Sequence, residues 1–184
     1  MSLSDRYAEI IYKAWQGGRR LKILVTVAGA VFWYGLGTLL VFISLWIDKF
    51  LPIRLLMPKA ATLSISVPLL VIGGGVVLWK YYLFIRVSGS PVPLNPPKSM
   101  VNSGLYAYLR NPMMLGYFTL LFGLGVLLNS FAMVFIFTPL FILGNVLYLK
   151  IFEEKEMEKE FGEQYLEYKK RVPMFIPRLC RRWR

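Results

Sequence analysis

Residues 111–149, NPMMLGYFTLLFGLGVLLNSFAMVFIFTPLFILGNVLYL, run from Asn111 to Leu149 without a single charge. As one helix, at about 1.5 Å per residue, this run would measure about 58 Å, nearly twice the hydrocarbon thickness of a bilayer. It must fold back, and Asn129-Ser130 is the polar pair near its centre. The run therefore reads as a hairpin of two spans, about 113–128 and 131–149, with Pro139 kinking the second.

Upstream lie two further uncharged runs, Ile23 to Ile47 and Ala60 to Trp79, each long enough to span. A short loop from Asp48 to Lys59, with Pro52 and Pro58, joins them. Gly73-Gly74-Gly75 lacks the preceding strand and following Lys-Ser/Thr of a phosphate-binding turn, so it reads as close helix packing. In residues 1–22, Leu3, Tyr7, Ile10, Ile11, Ala14 and Trp15 recur at helical spacing before Gly17-Gly18. That pattern suggests an amphipathic helix lying on the membrane surface, not a cleaved signal peptide. Between Lys80 and Arg110, prolines 91, 93, 96 and 97 forbid a continuous helix and favour an extended loop. Beyond Leu149, Met157, Phe161, Tyr165, Tyr168 and Val172 draw one apolar stripe, that of a single amphipathic helix in the tail. The fold expected is an all-α integral membrane protein with about four transmembrane helices, 23–47, 60–79, 113–128 and 131–149. The interfacial helix over 1–22, a cytoplasmic loop over 80–111 and a cytoplasmic tail over 150–184 complete a single domain, 1–184.

Composition agrees. Of 184 residues, 57% are hydrophobic and 17% charged, with a mean hydropathy of +0.53. A soluble domain carries about a quarter charged residues. With no histidine and one cysteine, histidine acid/base catalysis, Ser-His-Asp triads, zinc sites and disulfides are all excluded. The net charge of +12 flanks the spans, which points to anionic lipid headgroups and not to nucleic acid. Nineteen of the 22 Lys and Arg residues fall on the side of the two termini and the Pro-rich loop. The positive-inside rule then puts that side in the cytoplasm: of a plasma membrane in a bacterium or archaeon, of an endoplasmic reticulum in a eukaryote. The aromatic residues read as interface belt and packing, Cys180 as a thiol near the membrane, and the final arginines as headgroup contacts. Oligomeric state is not legible in the sequence.

Polar chemistry has two places to sit, and both border the hairpin. Arg110-Asn111-Pro112 has the logic of a helix start, Asn as N-cap and Pro as first helical residue, with N–H groups that favour an anion. Glu153-Glu154 leaves the other arm. An antiparallel hairpin lays Arg110 and Asn111 beside Glu153 and Glu154 at the membrane surface. Taken separately, they read as a helix cap with a snorkelling arginine and as acids of a solvated turn. Taken together, a cationic corner facing an anionic one suits a ligand bearing one carboxylate and one ammonium.

Gly104-Leu-Tyr106-Ala-Tyr108-Leu-Arg110-Asn111-Pro112-Met-Met114-Leu-Gly116, the hydrophobic hairpin and Glu153-Glu154 resemble a known signature, R-[HN]-P-x-Y-x-G followed by E-E. It marks the isoprenylcysteine carboxyl methyltransferase and phospholipid methyltransferase family. The resemblance extends from Pro96-Pro97-Lys98 to Phe161-Gly162 and Tyr165 through Pro173, about half the chain. It implies an integral membrane enzyme that uses S-adenosylmethionine on a lipid or lipidated acceptor entering from the bilayer. By that resemblance Arg110, Asn111, Pro112, Gly116, Glu153 and Glu154 line the cofactor site, with Tyr106 in support. The chain departs from the pattern at Asn111, where many members have His, and at Met114, where Tyr is usual. Asn can hydrogen-bond but cannot shuttle a proton, and both changes bear on the acceptor more than on the cofactor.

Methyl transfer from a sulfonium is an in-line displacement that needs no covalent intermediate and, with an anionic acceptor, no general base. Alignment in a dry site supplies most of the acceleration. Arg110 or Lys150 is placed to orient an anionic acceptor. The reading is thus methyl transfer of the isoprenylcysteine carboxyl type, with a phospholipid amine or a small hydrophobic thiol or acid as alternative acceptors. A small proton-coupled transporter is disfavoured because no span contains an acid. A nicotinamide-dependent membrane reductase is disfavoured by the short chain and the lack of a clear cluster for a 2′-phosphate.

Overall fold

The structure, a computed structural model, describes residues 19–53, 55, 57–87 and 104–176. The expected interfacial helix up to residue 18, the Pro-rich stretch 91–97, Cys180 and the terminal arginines lie outside the described residues. Five helices follow in order: α1 Arg19–Asp48, α2 Lys59–Val87, α3 Pro112–Leu127, α4 Met133–Phe161 and α5 Glu163–Arg171. A 3₁₀ turn, Gly104–Ala107, precedes α3, and α4 includes two π-helical turns, Met133–Phe137 and Leu149–Glu153. No strand occurs among the described residues.

Segments Val31–Asp48 in α1, Lys59–Lys80 in α2 and the whole of α4 are long and apolar enough to cross a membrane. Their outward faces carry Val31, Phe42, Trp46, Leu78, Leu140 and Leu143, all exposed. Helices apolar all round, and not on one stripe, are built for a lipid solvent. The arm expected over 113–128 is the exception. At 16 residues, α3 measures about 24 Å, several ångströms short of the hydrocarbon core.

Close approach of α2 and α3 depends on two glycines. A Cβ on Gly73 would stand 2.7 Å from the Gly116 carbonyl oxygen and 2.8 Å from the Leu120 nitrogen. Without side chains there, the two backbones touch, which is how small residues secure apolar helices in a bilayer. Within the expected packing triplet this falls to Gly73, since Gly75 meets open space. Phe118, Leu121, Met133 and Phe141 form the core of the hairpin, and Trp33 of α1 meets Phe141 edge-on at 6.1 Å. Tyr117 adds a hydrogen bond from its hydroxyl to the Trp33 carbonyl, at 3.1 Å. Met114 and Phe175 pack against the same cluster.

The chain folds back at Asn129-Ser130, as the polar pair indicates. Asn129 takes a φ of 51°, a left-handed value that Asn tolerates better than most residues. The Ser130 N–H donates to the Gly125 carbonyl at 2.9 Å, and Ser130 Oγ accepts the Met133 N–H at 3.1 Å. Asp48, at the end of α1, accepts the Ala132 N–H on Oδ1 at 2.8 Å. Pro139 sits in the first turn of the α-helical stretch Thr138–Tyr148, directly after a π turn. The wider π turn accommodates a residue that has no N–H to donate.

Two expectations are corrected. The loop expected from residue 80 starts later: the apolar segment Lys59–Lys80 is followed without a break by helix, so α2 continues to Val87 and carries Lys80 inside it. Glu153, on another element, lies within electrostatic reach of Lys80 there. The single tail helix is also broken, because Gly162 takes φ 53° and ψ −130° between α4 and α5. Only glycine adopts such a conformation cheaply, so the apolar stripe bends there and α5 runs off on a new axis.

Candidate active site

The end of the bundle away from the Asn129 turn gathers the start of α3, the second π turn of α4, Lys80 and α5. The segment after α5 is tied to the start of α3 by backbone. Arg110 N–H donates to the Pro173 carbonyl at 2.9 Å, and Asn111 N–H to the Met174 carbonyl at 3.2 Å. Phe175 then seats its ring 5.5 Å from Phe118. This strap engages two N–H groups near the turn where free donors for an anion are expected.

Arg110 and Glu154 meet directly. Nη1 of Arg110 lies 2.5 Å from Oε1 of Glu154, with side chains only 11% and 8% exposed. The second oxygen, Oε2, lies 2.5 Å from Lys169 Nζ, which also reaches Glu158 Oε1 at 2.8 Å. Both carboxylate oxygens of Glu154 are thus held by cations of the chain itself. Buried Tyr165 lies within the electrostatic reach of Arg110. The Nε of Arg110 is buried and has no partner. A guanidinium donor in that state is costly unless an acceptor arrives.

Glu153 serves a different partner from its neighbour because successive residues of a helix point about 100° apart. It lies within electrostatic reach of Lys80 and of Tyr106. Burial, and after it the fields of Glu153 and Tyr168, hold the Tyr106 phenol well above its ordinary value, so it stays a neutral donor. Tyr168 is raised as well, chiefly by burial, and its hydroxyl donates to the Tyr106 carbonyl at 2.7 Å. Burial also raises Tyr165, against the opposing influence of Arg110. Hydrogen bonds to Glu154 and Glu158 push Lys169 up, which keeps it charged. Among the described residues, no group of three His, Cys, Asp or Glu side chains is placed to hold a metal ion.

The remaining sequence-predicted residues are dispersed around this corner. Asn111 occupies the N-cap position of α3 with φ −125° and ψ 62°, but its side chain makes no capping hydrogen bond. Pro112 opens α3 and is buried, whereas Gly116 belongs to the seam with α2. Lys150 is exposed on the second π turn. The structure adds Lys80, Tyr165, Tyr168 and Lys169 to the corner. Tyr165 and Tyr168 are visible in the sequence only as members of an apolar stripe, and no local pattern marks Lys80 or Lys169 as partners of acids.

The profile of the phospholipid methyltransferase family matches residues 61–164, from the first turn of α2 into α5. Methanethiol S-methyltransferase 2 of Bradyrhizobium diazoefficiens is 35% identical over 83 residues, covering 44% of this chain and 29% of that protein. Protein-S-isoprenylcysteine O-methyltransferase of Xenopus laevis is 37% identical over 86 residues, 43% of this chain and 27% of that protein. The human protein of the same name is 35% identical over 86 residues, 43% and 28% of the two chains. The matched stretch spans under a third of the length of each of these relatives. No solved structure matches the chain. With its apolar helices and charged corner inside a profile that covers more than half its length, the chain belongs to the phospholipid methyltransferase family.

Proposed function

We propose that the chain is an S-adenosylmethionine-dependent methyltransferase acting on a lipid or lipidated acceptor at the cytoplasmic face of a membrane. One observation carries this reading: the buried, unpartnered Nε of Arg110, set among cations and acids where the hairpin opens. Family membership and the O- and S-methyltransferase names of its relatives support it.

S-adenosylmethionine carries a carboxylate and an ammonium on its methionyl end, and this corner fits both. Arg110 Nε is a donor for the carboxylate. Glu154, its two oxygens taken by Arg110 and Lys169, holds the guanidinium in place, so the ammonium falls to Glu153. Tyr106, Asn111 and Pro112 shape the turn beside it, and Gly116 lets α2 pack closely against the start of α3. When bound, the cofactor supplies an electrophilic methyl group on a sulfonium.

The chain itself contributes binding, alignment and exclusion of water, and those suffice for an in-line displacement. The strap over 172–176 and α5 cover the corner from the aqueous side. Exposed Lys150 stands where an anionic acceptor can be oriented, and Arg110 adds to the same positive field. A chain with no histidine is best matched to an acceptor already ionised. An isoprenylcysteine-type carboxylate is therefore the first choice, a small thiol or acid next, and a phospholipid amine last, because an amine must shed a proton.

Calorimetry of S-adenosylhomocysteine binding to detergent-purified protein tests the cofactor assignment. Arg110→Lys keeps a cation for Glu154 and removes Nε, so affinity should fall about tenfold, equivalent to about 1.4 kcal/mol. No binding by the native chain, or undiminished binding by Arg110→Lys, would overturn the assignment. Methylation assays on a farnesylcysteine analogue, a thiol and an ethanolamine phospholipid rank the acceptors.

A further inference from the structure

At the opposite end of the bundle lies an open cavity of about 570 Å³, between the α1–α2 loop and the α3–α4 turn. That volume falls within the range of small-ligand sites, about 300–1,000 Å³. Leu45, Leu55, Met57 and Leu128 form an apolar wall, and Asp48 and Lys49 line the same space. The two oxygens of Asp48 differ. Oδ1 accepts the Ala132 N–H, whereas Oδ2 is buried and without a hydrogen-bond partner. A carboxylate oxygen withdrawn from water calls for a donor. Lys49, the next residue, is exposed and offers the complementary cation. Asp48 closes the apolar run of α1 and Lys59 opens that of α2, so the cavity sits at the edge of the spanning region.

We infer that this cavity binds the headgroup of an ethanolamine phospholipid. Its primary ammonium donates to Asp48 Oδ2, its phosphate pairs with Lys49, and its acyl chains begin along the apolar wall. A choline headgroup has the same charge but no N–H, so it leaves Oδ2 unsatisfied. Discrimination here therefore follows the number of N–H donors on the amine. The 16 residues of α3 separate this site from the Arg110 corner by about 24 Å, so a lipid held here is not in place to accept a methyl group. The inference stands without the cofactor assignment.

Native mass spectrometry of the detergent-purified full chain, with equimolar phosphatidylethanolamine and phosphatidylcholine of identical chains, provides the test. The native protein should retain the ethanolamine lipid at least fivefold over the choline lipid, with mono- and dimethylated lipids ranked between. Asp48→Asn preserves an acceptor for Ala132 but replaces Oδ2 with a donor, and should bring the two lipids close to parity. Lys49→Gln, a change of an exposed side chain just past the end of α1, should weaken both lipids alike. Parity in the native protein, or a preference undiminished in Asp48→Asn, would overturn the inference. So would displacement of the lipid by millimolar glycerophosphoethanolamine, which would assign the site to a soluble amine.

Discussion

The two ends of the α3–α4 hairpin are built on different principles. At the turn, Asn129, Ser130 and Asp48 satisfy backbone groups through hydrogen bonds, and two of the three belong to the turn itself. At the open end, Glu154 is held by Arg110 from 44 residues earlier and by Lys169 from the far side of Gly162. Glu153 and Lys80 lie within electrostatic reach of one another in the same corner. The turn needs little beyond its own residues. The open end contains charges that are expensive to bury singly, so each must recruit a partner from another element. That dependence leaves one buried donor, Arg110 Nε, without an acceptor, and it locates the candidate active site there.

The contrast can be broken most severely at Glu154. Replacing it with alanine strands Arg110 and Lys169 together, and losing one member of a buried pair costs about 3–5 kcal/mol. Thermal unfolding in detergent should show that loss. A cost below about 1 kcal/mol, the range of a surface pair, would mean that water reaches these cations freely.

A smaller effect is expected at the turn. Ser130→Ala removes the acceptor for the Met133 N–H and should cost about 1 kcal/mol, as at other helix caps. Affinity for S-adenosylhomocysteine should not change. If it fell together with stability, the two ends would be one cooperative unit and the contrast would fail.

The smallest effect concerns alkaline pH. Lys169 is raised above its ordinary value of 10.5 by Glu154 and Glu158. Its contribution is complete below 10.5 and is lost as pH climbs through the raised value. Because its side chain is 36% exposed, solvent screening keeps that contribution under about 1 kcal/mol. Thermal unfolding of the native protein and of Lys169→Met, compared as pH rises through and above 10.5, should converge at the alkaline end. Curves that stay parallel would detach Lys169 from the network.

Legibility in the sequence follows the same division. The fold-back at Asn129-Ser130 is readable because an uncharged run that is too long for one crossing must turn where polarity permits. The juxtaposition of Arg110 with Glu154 follows from antiparallel geometry, because both residues flank the hairpin at equal depth. The end of α2 is not readable: a lysine that normally marks the edge of a span stays inside the helix, and the acid within its electrostatic reach lies on another element. Nor is the break at Gly162, since the stripe from Met157 to Val172 is compatible with one straight helix until a backbone angle says otherwise. Asn111 shows a related limit. Its residue type suits a cap and its position is that of a cap, yet the strap over 172–176 takes its N–H and its side chain makes no capping bond.

By itself the sequence determined that this is an all-helical membrane protein, where its hairpin turns and which segments border the opening. Those follow from short-range physics: the cost of charge in hydrocarbon, the length of a helical residue, and the turn preferences of Asn and Ser. Only the tertiary structure decided that Lys169 and Tyr165 complete the Arg110 corner, that Lys80 comes within electrostatic reach of Glu153 and that Arg110 Nε and Asp48 Oδ2 are left unsatisfied. The reason is that an ion pair acts through space, and no spacing along the chain records which distant side chain will be there to close it.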